Sequence, residues 1–475
     1  MAEHTERTYD VIVIGAGPPG ENVAGRARRG GLSAVIVERR LVGGECSFYA
    51  CVPSKAMLRP VNLVASTRRV QGVRPGSLDA ADVFARRNYW TSSWDDTGAT
   101  GWLDSEGIDL VRGHARLAGE KRVEVEVADG EPITLVARHA VVLSTGTTAA
   151  VPPIPGLRKA KPWTNIEATS AQSAPGRLVI LGGGVVACEM AQAFSGLGSD
   201  VTLIERGERL LGRTEPFAGD LVAAGLREAG VDLRLGTAVT AVSRESGDGT
   251  GEVIVTLSDG STVAGDEVLA ALGRTPASGD LGLETVGLEA SGYVKVDDSM
   301  LVEGVGGGWL YATGDLTGRN LLTHMGKYQS RVAGDVIAAR AKGAPDDGPS
   351  LRATADALGA PQVVFTDPEV CAVGLTESAA REAGLDVKVV DLPMSSATGS
   401  GLQADDYAGQ ARIVVDEARR VIVGATFVGQ DTAELIHSAT VAVVGEVPLE
   451  KLWHAVPSFP TMSEIWLRLL EEYGL

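Results

Sequence analysis

Apolar runs recur along this chain, and two of the informative ones lead directly into glycine-rich turns. Val11-Ile12-Val13-Ile14 is apolar at every position, which predicts a strand buried on both faces of a parallel sheet. It leads into Gly15-Ala16-Gly17-Pro18-Pro19-Gly20 and a helix-like segment rich in Ala and Arg. A second run, Ala34-Val35-Ile36-Val37, then closes on Glu38. The whole arrangement returns farther on. Leu178-Val179-Ile180-Leu181 is the strand and Gly182-Gly183-Gly184-Val185-Val186-Ala187 the turn, with Ala187 where a third glycine would stand. Asp200-Val201-Thr202-Leu203-Ile204 then ends at Glu205, spaced from Ala187 as Glu38 is from Gly20.

Between and after these units the pattern changes period. Residues 58–107 read as helices, with Trp90, Trp94 and Trp102 expected to pack surfaces rather than hold a ligand. Val123 to Val127 alternates with Glu124 and Glu126 before a turn at Asp129-Gly130, which predicts a hairpin. Ala140-Val141-Val142-Leu143 returns a buried strand, ending in Ser144-Thr145-Gly146. Val151-Pro152-Pro153-Ile154-Pro155-Gly156 is stiff and reads as a boundary. Trp309 to Ala312 is another strand, ending in Thr313-Gly314-Asp315, and Leu321-Leu322-Thr323-His324-Met325 opens a helix. Residues 344–350 read as a linker. The strands expected beyond it, at 362–365, 411–415 and 421–427, come without a third nucleotide signature, so this part is expected to serve association.

Composition narrows the class. At 475 residues the chain is too long for one ordinary core. A hydrophobic share of 44% and a mean hydropathy of +0.08 fit a globular enzyme. The formal net charge of −18 argues against nucleic acid and against an acidic membrane surface as partners. The start is polar without a secretory apolar core, and no later apolar run is long enough to span a bilayer. Four cysteines make no disulfide scaffold, so a reducing cytoplasm is expected.

The glycine turns carry a specific chemistry. Gly15 makes the tight turn, Gly17 lets backbone approach a pyrophosphate, and Gly20 lets helix and strand close up. The helix N-terminus then holds phosphates and Glu38 takes ribose hydroxyls. In the second unit Gly182 and Gly184 take these parts. Glu205 there accepts from an adenosine ribose and repels a 2′-phosphate, which favours NADH, although Arg206 and Arg209 follow closely. Cys46 and Cys51, just past the first unit in Gly43-Gly44-Glu45-Cys46-Ser47-Phe48-Tyr49-Ala50-Cys51-Val52-Pro53-Ser54-Lys55, stand at the start of a helical pattern. A thiolate gains there from the aligned backbone dipoles. No zinc site is expected, because Cys188 and Cys371 stand alone. Two dinucleotide units beside one cysteine pair suggest electrons passing from NAD(P)H to FAD to sulfur. Asp315 is suited to ribityl hydroxyls, with the helix that follows facing the flavin.

Taken together, these residues resemble the class I flavoprotein disulfide reductases, the family of dihydrolipoamide dehydrogenase, glutathione reductase and mercuric reductase. The likeness also rests on Phe365-Thr366-Asp367-Pro368-Glu369 and Pro460-Thr461-Met462-Ser463-Glu464, and it runs nearly end to end. It implies an α/β chain with two Rossmann-like dinucleotide-binding domains and a C-terminal α+β dimerisation domain. The expected parts are an FAD-binding domain at 1–157, an NAD(P)-binding domain at 158–275, a second FAD-binding or central part at 276–345 and an interface domain at 346–475. The resemblance implies a homodimer whose active site is shared between subunits. It gives Cys51 the flavin-facing thiolate, Cys46 the exchange with substrate, and Lys55 with Glu189 a pair beside the flavin. Thr145, Gly146, Gly314, Asp315 and His324 join the expected FAD residues, and Glu189 and Gly273 the NAD residues.

One position departs from the family. Its reductases carry a histidine immediately before Pro-Thr, where this chain has Phe459, with Glu464 kept. The six histidines are His4, His114, His139, His324, His437 and His454, and none stands there. Losing a positioned acid–base group costs about 10²–10⁴ in rate. The 2-ketopropyl coenzyme M oxidoreductase/carboxylase branch also has phenylalanine at this place, but histidine where this chain has Glu464. Val185 replaces an aromatic gate common over the nicotinamide pocket.

The resulting expectation is an NAD(P)H:acceptor flavoprotein of the EC 1.8.1 kind with an atypical acceptor: a thioether, ketone, metal ion or quinone. The alternatives are a dihydrolipoamide dehydrogenase or similar disulfide reductase using another base such as His454, a quinone reductase with spectator cysteines, and a flavin-binding sensor without turnover. Cys188 and Cys371 are expected to be buried, and Trp453 and Trp466 to pack the subunit interface. Glu464 is expected either as a protonated buried acid or as an acceptor of backbone amides.

Overall fold

A computed structural model describes residues 5–128, 130–247 and 249–475. Asp129 of the expected hairpin turn and His4 lie outside the described residues. The chain forms two compact units. One comprises Met1–Val52, Asn88–Thr148 and Arg274–Asp356, the other Pro53–Arg87, Ala149–Gly273 and Ala357–Leu475.

In the first unit the strand Thr5–Ile14 lies between Ala34–Glu38 and Ile133–Leu143, parallel to both. Its alternate side chains enter two separate cores, which explains the unbroken apolar run. Val11 and Val13 pack with Val23 and Ala27 of the helix Pro18–Arg29 and with Val332 and Val336 of the helix Thr323–Ala341. Ile12 and Ile14 pack on the other face with Val123, Val125, Leu281 and Trp309. Each such side chain contributes about 1.5–3 kcal/mol on burial. The expected hairpin is present as Arg122–Glu126 antiparallel to Ile133–Leu143, with Glu124 and Glu126 outward. Leu310–Ala312 adds a parallel strand to Ile133–Leu143.

The second unit repeats the plan. Arg177–Leu181 lies between Asp200–Ile204 and Glu267–Ala270 in a four-stranded parallel sheet. Leu178 and Ile180 face one core and Val179 and Leu181 another. The later strands, Gln362–Val364, Glu369–Gly374, Val387–Pro393, Gln410–Asp416 and Val421–Gly429, form a five-stranded antiparallel sheet. Val421–Gly429 is its middle strand and is buried at every position, under the helices Ile436–Val444 and Ile465–Tyr473. The fold is thus mixed α/β with a C-terminal antiparallel-sheet domain. Trp466, expected at the subunit interface, is half-buried, with its ring edge-on to Phe427 at 5.3 Å against this domain's core. Among the described residues no helix is long and apolar enough to cross a membrane.

Candidate active site

In the first unit, backbone geometry shows why the glycine turn tolerates no side chain. Gly15 has φ +103, and a Cβ on it would meet the Ser144 carbonyl oxygen at 2.4 Å. A Cβ on Gly20 would meet the Gly15 carbonyl oxygen at 1.9 Å, so helix and strand touch there. Gly17, by contrast, has nothing nearer than 3.8 Å and caps the helix Pro18–Arg29 with no side-chain hydrogen bond. Glu38 lies back along the turn, accepting from the Ala16 amide at 2.8 Å and from the Arg40 amide at 2.6 Å.

The prolines shape this end of the helix. Pro18 and Pro19 occupy its first positions, where the missing N–H groups lack partners in any helix. The Pro19 ring also fills space left by two distant glycines. A Cβ on Gly314 would stand 2.9 Å from its Cγ, and one on Gly326 would stand 2.8 Å away.

The cysteine segment is built onto the same turn. Gly43 donates to the Ala16 carbonyl at 2.7 Å, and Gly44 at φ +60 passes so near Gly17 that a Cβ would lie 2.8 Å from its Cα. Cys46 sits in the short helix Gly44–Phe48, and Cys51 opens the helix Cys51–Thr67. Both are half-buried. Cys51 Sγ lies 3.4 Å from Thr323 Oγ1 at the start of the helix Thr323–Ala341. Trp94, expected only to pack a surface, donates its indole N–H to the Phe48 carbonyl at 3.1 Å and so braces this turn.

Asp315 is the buried acid of this region. Burial pushes its carboxyl above the usual range, opposed by a hydrogen bond from Thr147 (2.9 Å) and by the charge of Arg274. A carboxylate so placed is an acceptor suited to hydroxyl donors. Gly314 donates to Gln329 Oε1 at 2.9 Å, and Gln329 in turn donates to Asp356 at 3.0 Å. Thr145 Oγ1 donates to the Ala277 carbonyl at 2.9 Å, and Gly146, at φ +69, accepts from the Ala277 amide at 3.0 Å. His324 is exposed. Thr147, Arg274, Gln329 and Asp356 were not singled out in the sequence, because their partners lie far off along the chain. The open face of Gly17, the close pass of Gly44 and the acceptor at Asp315 fit a flavin dinucleotide, which would supply two-electron redox chemistry beside the cysteine segment.

In the second unit Gly182 has φ +111, and a Cβ on it would meet the Ala271 carbonyl oxygen at 2.4 Å. Gly184 caps the helix Val185–Gly196 as Gly17 caps the first, again with no side-chain hydrogen bond. Glu205 accepts from the Gly207 amide at 2.7 Å and lies against the turn, with its Cγ 2.7 Å from where a Cβ of Gly183 would be. Gly273, at φ +113, has open space around it. Arg209 is turned to Asp220 at 3.1 Å. Glu189, 3% exposed, takes Lys55 Nζ at 2.7 Å on one oxygen and the Phe365 amide at 3.0 Å on the other. Lys55 Nζ also sits 4.9 Å from the Phe365 ring centre.

Phe459 is 73% exposed. Glu464 is buried, accepting from the Thr398 amide at 3.2 Å and pairing with Arg468 at 2.7 Å. The backbone-amide expectation for this acid therefore describes it, together with an ion pair that was not foreseen. Cys188 and Cys371 are buried as expected; burial pushes both thiols up, Cys371 to about 12.

Comparison with known proteins gives a consistent picture. The pyridine nucleotide-disulphide oxidoreductase family pattern matches residues 9–343, and that family's dimerisation-domain pattern matches residues 360–469. The chain is 30% identical over 460 residues to a mercuric reductase of Staphylococcus aureus, covering 96% of this chain and 81% of that one. It is 31% identical over 472 residues to a dihydrolipoyl dehydrogenase of Chlorobaculum tepidum, covering 98% and 97%. Among solved structures it resembles the Cu(II) complex of the HOCl-induced flavoprotein disulfide reductase RclA from Escherichia coli, with a TM-score of 0.83, 26% identity and coverage of 98% and 99%. It shares its fold with LpdA from Mycobacterium tuberculosis at a TM-score of 0.83 and 24% identity, over 99% and 100% of the chains.

Proposed function

Since the chain belongs to the pyridine nucleotide-disulphide oxidoreductases, and is a flavoprotein disulfide oxidoreductase, we propose that Cys46 and Cys51 are its redox pair and that its acceptor needs no proton from a histidine. One observation carries the second half. Glu464 is engaged by Arg468 and by the Thr398 amide within its own domain, so its charge is met without an imidazole. With Phe459 beside the Pro-Thr pair, this segment offers an apolar wall where the family's acid–base group would work. A thioether, ketone, metal ion or quinone is the acceptor class this favours.

The remaining assignments follow the same reading. Gly15, Gly17, Gly20, Glu38, Lys55, Thr145, Gly146, Gly314, Asp315 and His324 hold FAD. Gly182, Gly184, Glu189, Glu205 and Gly273 hold the nicotinamide cofactor. Cys51 faces the flavin, Cys46 meets the substrate, and Lys55 with Glu189 forms the charge pair beside the flavin. The homodimer shares its site between subunits, and the parts divide near residues 157, 275 and 345. NADH is the preferred donor, because Glu205 lies on the glycine turn and Arg209 is occupied by Asp220. Replacing Glu205 with Ala is then expected to narrow the NADH-over-NADPH ratio of kcat/KM by about tenfold.

The test begins with NADH reduction of the flavin under anaerobic conditions, followed by acceptor screening of wild type and Phe459→His. The expected result is slow dihydrolipoamide turnover in the wild type and a gain of about 10-fold or more in Phe459→His. The names of the relatives support a second reading, a plain dihydrolipoyl dehydrogenase. Wild-type turnover of dihydrolipoamide at ordinary family rates would establish that reading and end the first.

A further inference from the structure

Immediately before Cys46 stands a carboxylate whose partner lies 229 positions away in the chain. Glu45 Oε2 accepts from Arg274 Nη2 at 2.7 Å, both side chains about a quarter exposed. Arg274 does more than neutralise it. Its Nη2 donates to the Thr147 carbonyl at 2.7 Å and its Nε to Thr147 Oγ1 at 2.8 Å, while Thr147 Oγ1 donates to Asp315 at 2.9 Å. A continuous chain of charge-assisted bonds thus runs from the five-residue helix bearing Cys46 to the buried acid assigned to the flavin. An Arg fork fixes geometry as well as charge, which a single lysine contact would not do.

We propose that Glu45 and Arg274 are a compensating charge pair that positions the Cys46 turn and sets the ionisation of its thiol. The inference rests on the reading of Cys46 as the substrate-facing sulfur. A negative charge at Glu45, the residue before Cys46, disfavours a thiolate, and the Arg274 guanidinium held 2.7 Å from that carboxylate offsets it. Among the described residues, other titratable groups in this region include Glu38, Arg40, Tyr49, Cys51, His324 and Asp315. Glu38 is bonded to the Ala16 and Arg40 amides, the Arg40 guanidinium stands 5.1 Å from the Tyr49 ring centre, and Asp315 is bonded to Thr147. Cys51 is replaced in every arm below and none of the others is substituted, so each shift is read against the same surrounding groups.

The test uses FAD-loaded, reduced protein in a Cys51→Ser background, with the rate of Cys46 alkylation by iodoacetamide followed against pH. Glu45→Gln leaves Arg274 unbalanced and is expected to move the profile down by about 0.5–1 pH unit. Arg274→Gln leaves Glu45 unbalanced and moves it up by a similar amount, about 0.5–1 unit. The double variant returns toward the parent, and Arg274→Lys, which keeps the charge but not the fork, falls between the parent and Arg274→Gln. A merely structural tether would shift both single variants the same way and worsen in the double; that result, or no shift in either, overturns the inference. The parent reading fails separately, if Cys46→Ser in the otherwise native enzyme leaves NADH-driven turnover of the identified acceptor intact. Retained dependence on Cys46 with coincident alkylation profiles would discard the charge pair alone.

Discussion

Glu369 shows how a single side chain couples this protein to pH. Burial pushes its carboxyl from the ordinary 4.5 up to about 7, helped by Asp431 and Asp367 and opposed by the Ala433 amide, which donates to it at 2.9 Å. Between these values the folded protein holds a proton that the unfolded chain has released. Its contribution is therefore complete below about pH 4.5 and is lost as pH rises through about 7. Over that window the effect is about 1–3 kcal/mol. Glu21, also raised to about 7 by burial, acts in the same direction. Urea midpoints should thus fall from pH 5 to pH 8, and Glu369→Gln should reduce that fall; an unchanged fall in the variant would exclude the assignment. Such behaviour is invisible to a sequence reading, because the neighbours that desolvate Glu369 come from other segments. The same limit hid the Glu45–Arg274 pair, whose members stand 229 positions apart, whereas the cysteines and glycines were legible from spacing alone; Glu464–Arg468, four positions apart, carried a local signal that the reading did not use.

At the scale of elements, the close approach of the helices Pro18–Arg29 and Thr323–Ala341 depends on residues that lack a side chain. Gly334 lies where a Cβ would come within 2.5 Å of Arg26 Cβ, and a Cβ on Gly326 would stand 2.8 Å from Pro19 Cγ and 3.0 Å from Gly314 Cα. Arg26 then reaches Asp335 with its Nε at 2.8 Å, locking the two helices together. Gly326→Ala should cost about 1–3 kcal/mol, because the Pro19 ring cannot rotate away. A lowered thermal midpoint, partly restored by adding Pro19→Ala, would be the signature; a neutral Gly326→Ala would show that the helices can separate freely. The strands themselves were readable from the chain, since runs such as Val11–Ile14 and Leu178–Leu181 admit few other readings. Helix pairing was not, because nothing local says which glycine meets which proline.

For the molecule as a whole, the two repeated nucleotide units and the C-terminal antiparallel sheet follow the plan that the glycine turns and late strands announce. The surface adds a second theme. Val441 (54%), Val444 (56%), Val456 (83%) and Phe459 (73%) are apolar and exposed on a protomer whose C-terminal region matches a dimerisation domain. Val444→Asp should weaken self-association by at least about tenfold, read by sedimentation equilibrium, since it places a charge where a dry contact is expected. A variant with unchanged association would place the interface elsewhere. Phe459 belongs to that apolar set as well as to the Pro-Thr segment. Assays at nanomolar enzyme would then read low for a reason unrelated to catalysis, with specific activity climbing as stock is added and bystander albumin masking the loss. Any rate assigned to this enzyme should accordingly be measured across a series of enzyme concentrations before acceptors are ranked.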